Sequence, residues 1–125
     1  MYGNAGQVYE TASKATGSSR ELEAAALFKA ARLLESCQRG WDSSDRELRL
    51  AEALQYNQRL WTFFQSELAQ PEHGLPAEIR INLLRISTFV DRRTFEIMAR
   101  PEPQKLKALI EINRHVASGL SAPVR

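Results

Sequence analysis

The sequence contains one cysteine, Cys37, so no disulfide can form within the chain. This excludes the small secreted domains that depend on disulfides and favours a reducing compartment. Long apolar runs are also missing, because the longest is Ala24–Phe28, far shorter than the roughly 20 residues that cross a bilayer. The first 16 residues have no apolar stretch either, so we expect neither a transmembrane helix nor a signal peptide.

Reactive side chains are scarce in this sequence. It has two histidines and three aspartates, and its six glycines form no phosphate-binding loop. His73 lies in a turn rich in proline and glycine, and Glu111 and His115 stand one helical turn apart without a third metal ligand at a suitable spacing. Cys37 has apolar neighbours at helical spacing, which is typical of a small core residue. We therefore expect no catalytic site, no metal site and no cofactor.

The charges are close to balanced, with 17 basic and 15 acidic residues and a formal net charge of +2. The two signs are mixed along most of the chain, whereas a nucleic-acid-binding protein usually concentrates basic residues on one face. The most basic stretch, between Arg80 and Arg100, is only a weak signal for nucleic acid. With 125 residues, 43% of them hydrophobic, the chain is predicted to form a single globular domain.

Four long helices are predicted between the few glycine and proline residues. Two serine–glutamate pairs with the spacing of a capping box, at residues 18 and 21 and at residues 44 and 47, open helices that extend to about residues 39 and 69. Pro76 opens a third helix that extends to about residue 99, and Pro103 opens a fourth that ends near Gly119. The predicted organisation is a short N-terminal helical segment (residues 1–17), a helical bundle (residues 18–120) and a frayed tail (residues 121–125).

Each of the last three predicted helices has an apolar seam with steps of mostly three or four residues. The seams are Leu50, Leu54, Asn57, Trp61, Phe64 and Leu68; Ile79, Leu83, Ile86, Val90 and Ile97; and Leu106, Leu109, Asn113, Val116 and Leu120. Because short turns join these helices, the seams indicate antiparallel packing around one core. No segment has a sustained two-residue alternation. The predicted fold class is all-α, an antiparallel bundle of four long helices plus a short N-terminal helix.

Asparagines occupy two of the core-facing positions, Asn57 and Asn113. In one interpretation, each is half-buried, bonds a neighbouring backbone group and fixes the register of the bundle. In the other, they face a ligand or a partner. The sequence leaves both interpretations open.

Two predicted helices have more apolar residues than a single seam needs. The additional residues are Leu27, Phe28, Ala31 and Leu34 in the helix of residues 18–39, and Ile81, Leu84, Phe95 and Met98 in the helix of residues 76–99. A helix with two apolar stripes is either central in a bundle or lines a groove that accepts another helix. In the second interpretation these residues form a partner-binding surface together with Val8, Tyr9 and Ala12 of the N-terminal segment.

Three blocks of the sequence carry a family resemblance: residues 56–62 (YNQRLWT), residues 75–82 (LPAEIRIN) and residues 109–120 (LIEINRHVASGL). Together with shorter matches at residues 9–14 and 19–24, they closely resemble the FlaF family of flagellar biosynthesis regulators. The matches have the order and spacing of that family and extend over nearly the whole chain. The sequence departs from the family at Ile81, where glutamine is frequent, and at His115, where an acidic residue is frequent.

The resemblance implies a cytoplasmic protein that controls the amount and export of flagellin, acting with the translational regulator FlbT and the flagellar type III secretion apparatus. It implies no catalytic residues. Two functions stay open, beside the third possibility of a bundle that only forms homodimers through its additional apolar stripe. One is a chaperone that binds flagellin and promotes its synthesis and secretion. The other is a post-transcriptional regulator that contacts flagellin messenger RNA, directly through arginines of residues 76–99 or through FlbT.

The near-balanced charge favours the protein partner over the RNA. Flagellin has amphipathic terminal segments that form coiled coils, and a helical bundle with additional apolar stripes can shield such segments in a groove. The residues before Gly17 are a candidate to cover this groove until flagellin displaces them.

Overall fold

The computed structural model of the chain describes residues 19–70 and 74–121. Their elements are α1 Ser19–Arg39, α2 Arg46–Leu68, α3 Ala77–Ala99, a 3-10 turn Pro103–Lys105 and α4 Leu106–Ser121. The described part of the chain is helical and contains no strand, so the predicted all-α class is confirmed. The predicted N-terminal helix, His73 and residues 122–125 of the predicted tail lie outside the described residues.

The turn between α1 and α2 differs from the prediction. A capping box at Ser44 is expected to open α2, but the helix begins at Arg46. The backbone N–H of Ser43 donates to the Gly40 carbonyl (3.0 Å), and the N–H of Arg46 donates to the Ser43 carbonyl (3.2 Å). Because these consecutive turns extend to Asp45, Ser44 does not occupy the capping position, and Asp45 precedes the helix instead.

α1 is the central helix of the bundle. It packs most extensively against α4 and next against α2, whereas α3 packs mainly against α2 and has few contacts with α4. Since neighbours cover α1 on two sides, most of its additional apolar residues enter the core. Leu27, Ala31 and Leu34 are at most 1% exposed. This corrects the groove interpretation for these three residues, because in the folded chain they pack against neighbouring helices and not toward a partner.

The core becomes thinner toward one end of the bundle. All six predicted seam positions of α2 are buried. The predicted seam of α3 is buried at Val90 and Ile97, but Ile79 near the start of the helix is 48% exposed. Val116 and Leu120, near the end of α4, are only half-buried. The end at which α3 begins and α4 ends is therefore more open than the sequence pattern predicts.

Candidate partner-binding surface

A cavity of about 290 Å³ opens between the four helices at this thin end of the core. Its apolar lining includes Trp61, Phe64, Leu68, Leu83, Val116 and Leu120. Ligand-binding cavities usually have volumes of about 300–1,000 Å³, so this one is small. It can hold a few side chains of a partner but not a whole helix. Ser19, the first described residue, also lines the cavity.

The second open surface is the outer face of α3, formed by Ile81, Leu84, Thr88, Asp91, Phe95 and Met98. Its side chains share one side of the helix because successive members are three or four residues apart. Ile81, Phe95 and Met98 are 46%, 60% and 58% exposed, and Leu84 is half-buried. The structure therefore aligns four of the predicted partner-binding residues on one helix.

Two polar residues divide the outer face of α3 into two apolar patches. The Thr88 hydroxyl donates to the Leu84 carbonyl (3.1 Å), and Asp91 Oδ2 accepts a hydrogen bond from Gln65 Nε2 of α2 (2.8 Å). The second bond ties α3 to α2 at the edge of the face. Ile81 and Leu84 form one patch, Phe95 and Met98 form the other, and hydrogen-bonding groups lie between them.

The other seven predicted partner-binding residues do not belong to α3. Three belong to the core, as described above, and Phe28 of α1 is half-buried against the core. The last three are Val8, Tyr9 and Ala12, which lie outside the described residues. Their role stays a prediction.

The arginines of α3 differ in their surroundings. Arg80 donates to the Gln70 carbonyl (2.8 Å), and Arg93 lies over the ring of Phe89 (5.4 Å to the centroid) and 3.6 Å from a carboxylate oxygen of Glu96. Arg85 and Arg92 are exposed and form no ion pair within residues 19–70 and 74–121. Since they are seven residues apart, these two guanidinium groups follow the same side of α3, next to its outer face.

A buried polar network connects α2 and α4 at the centre of the bundle. Trp61 Nε1 donates to Asn113 Oδ1 (2.9 Å), and Asn113 Nδ2 donates to Asn57 Oδ1 (2.7 Å). All three side chains are at most 1% exposed. Asn57 Nδ2 has no hydrogen-bond partner among the described residues. The asparagines thus face inward, as one interpretation expects, but they are fully buried and bond side chains and not the backbone.

A surface ion-pair cluster fastens α1 to α4. The Glu35 carboxylate accepts a 2.5 Å hydrogen bond from Arg114 of α4 and another from Arg39, one turn further along α1. The hydrogen bond from Arg114 is the largest of the effects that hold the pKa of Glu35 below its usual value. This cluster supports the position of α4 and involves no residue of α3.

Cys37 is a core residue in the structure, with 4% of its surface exposed. Burial raises the pKa of its thiol, and the carboxylates of Asp45 and Glu52 act in the same direction, while Arg49 opposes them. We expect the native thiol to react with Ellman's reagent at least about a hundredfold more slowly than in guanidinium chloride, because it is both protonated and shielded. Absorbance at constant pH measures this rate. Equal rates in the native and unfolded chain would place Cys37 at the surface.

Comparison with known protein families matches residues 5–120 to the model described as flagellar protein FlaF. Neither the curated proteins nor the solved structures gave a match to the chain. Within residues 19–70 and 74–121, no three His, Cys, Asp or Glu side chains come together as metal ligands. None of the described helices combines the length and the apolar character that spanning a membrane requires.

Proposed function

Because the chain belongs to the FlaF family of flagellar proteins, we propose that it binds flagellin in the cytoplasm and promotes the synthesis and secretion of flagellin, acting with FlbT. In this role it is a flagellin-specific chaperone that supplies the type III export apparatus. It contributes a binding surface and no chemical step.

The observation that carries this proposal is the outer face of α3. Large apolar side chains such as Phe95 and Met98 remain mostly exposed there, although the rest of the bundle has a well-buried core. Exposed apolar residues that lie next to one another commonly mark a site for another protein. An amphipathic helix binds such a surface through residues on one of its faces, which is the mode available to the terminal segments of flagellin.

Titration calorimetry with purified, unpolymerised flagellin tests the proposal. We expect a saturable complex between one copy of each protein, with a negative change in heat capacity because apolar surface is buried. FlbT is then added to the complex to determine whether both partners bind at once. If flagellin does not bind at concentrations up to about 100 μM, where a weak but specific interface is still detectable, the proposal is wrong.

Contact with flagellin messenger RNA is the alternative that the exposed Arg85 and Arg92 support. Direct RNA binding depends steeply on salt, because each neutralised phosphate releases counterions. The same titration with the messenger RNA leader, at low and high salt, therefore separates the two functions. Saturable RNA binding that disappears as salt rises, without flagellin binding, would favour the alternative.

The N-terminal segment provides a further prediction, although it lies outside the described residues. If the segment with Val8, Tyr9 and Ala12 competes with flagellin, deletion of residues 1–16 raises the fraction of molecules that are ready to bind. We expect this deletion to tighten flagellin binding by about threefold or more in calorimetry. Circular dichroism and thermal unfolding serve as the control for the fold. An intact fold with unchanged affinity would exclude competition by this segment.

A further inference from the structure

The spacing along the outer face of α3 is that of a coiled-coil seam. Residues 81, 84, 88, 91, 95 and 98 alternate in steps of three and four without interruption. The seam spans about 26 Å, since an α-helix rises 1.5 Å per residue. A second helix of the same length can therefore pack along it, with apolar contacts at both ends and a polar layer in the middle.

The charges on this seam argue against a second copy of the chain as that helix. In a parallel pair, Asp91 would face Asp91 of the other copy in the middle of the seam. In an antiparallel pair, Arg85 would face Arg92 of the other copy along the flank. Like charges oppose each other in both orientations, and like charges at such positions destabilise helix pairs.

Resting on the function proposed above, we infer that this seam binds an amphipathic helix of flagellin whose flank carries two carboxylates about two turns apart. The distance between the two carboxylates follows from the distance between Arg85 and Arg92. Both arginines are exposed beside the seam and lack an ion-pair partner among the described residues. Opposite charges along a flank fix the register and orientation of helix pairs. The bound helix also presents a hydrogen-bond donor to its polar layer, because a carboxylate such as that of Asp91 accepts more than its single bond from Gln65.

The test is a pair of double variants with the same net charge. Arg85→Glu with Arg92→Glu reverses the flank of the seam. Arg32→Glu with Arg59→Glu reverses two exposed arginines of α1 and α2 and serves as the control. Flagellin affinity is measured for both and for the wild type at about 20 mM and about 500 mM salt, because screening separates local charge pairs from apolar contact.

At low salt, we expect the flank variant to bind flagellin about tenfold more weakly than the wild type and the control to change by less than about twofold. At high salt the difference between the variants becomes small. If both variants lose affinity equally, overall charge and not the flank of the seam is responsible, and the inference is wrong. If neither loses affinity, the inference is wrong while the proposed function stands. If the wild type itself fails to bind, the proposed function fails.

Discussion

Replacing Asn113 with alanine is expected to lower the free energy of unfolding by about 3–5 kcal/mol. The substitution removes both hydrogen bonds of the central network and leaves the Trp61 indole N–H and the Asn57 amide oxygen buried without these partners. A loss of this size is a large fraction of the roughly 5–15 kcal/mol that stabilises a typical domain. Urea denaturation monitored by the fluorescence of Trp61 and Trp41 measures it.

Asn57→Ala is the matched control, because it removes the same side chain from the other end of the network. Only the amide of Asn113 then loses a partner, since Asn57 Nδ2 has none among the described residues. We expect this substitution to cost about 1–3 kcal/mol, less than Asn113→Ala. If Asn57→Ala lowered the free energy of unfolding as much as Asn113→Ala or more, Asn113 would not be the residue that links Trp61 to Asn57.

The second large effect is expected on binding. Phe95→Asp places a charge on the outer face of α3, where the phenylalanine ring is 60% exposed in the free protein. We expect flagellin affinity to decrease at least about 30-fold, the range of an aromatic residue that carries much of the binding energy of an interface. Because the ring lies outside the core, thermal stability should change little. Calorimetry with purified flagellin and a thermal scan measure the two quantities.

Leu48→Asp is the matched control for Phe95→Asp. Leu48 is a large apolar residue of α2 with 63% exposure, so its substitution changes charge and exposed apolar area in the same way. We expect the control to bind flagellin within about twofold of the wild type, as surface substitutions away from an interface do. If both variants lost flagellin affinity equally, binding would depend on nonspecific hydrophobic contact and not on the outer face of α3.

The sequence pattern predicts much of this fold. The seam of α2 is correct at every position because the large buried side chains of this helix form one stripe, and a period near 3.6 residues identifies that stripe. The pattern does not say which neighbour covers a second stripe. The additional apolar residues of α1 and of α3 therefore have the same helical spacing in the sequence. In the structure, α2 and α4 together cover those of α1, such as Leu27, whereas Ile81 and Phe95 on the outer side of α3 stay exposed.

The central network and the end cavity are harder to predict, because each depends on residues that are distant in sequence. Asn57 and Asn113 are 56 residues apart, and their pairing depends on the register between α2 and α4. One local signal exists, since Trp61 lies one turn after Asn57 on the same face and its indole N–H needs a partner when buried. The cavity results from the weak contact between α3 and α4, a property that no single helix pattern contains.

Hydrogen–deuterium exchange with and without flagellin most directly tests the claim that α3 is the flagellin-binding helix. Amide exchange reports local opening, and a partner packed along α3 must suppress that opening. With flagellin in excess, we predict that amides between residues 81 and 98 exchange at least about tenfold more slowly, while amides of α1 and α4 change little. Protection confined to α1 or α4, with α3 exchanging as in the free protein, would contradict the claim.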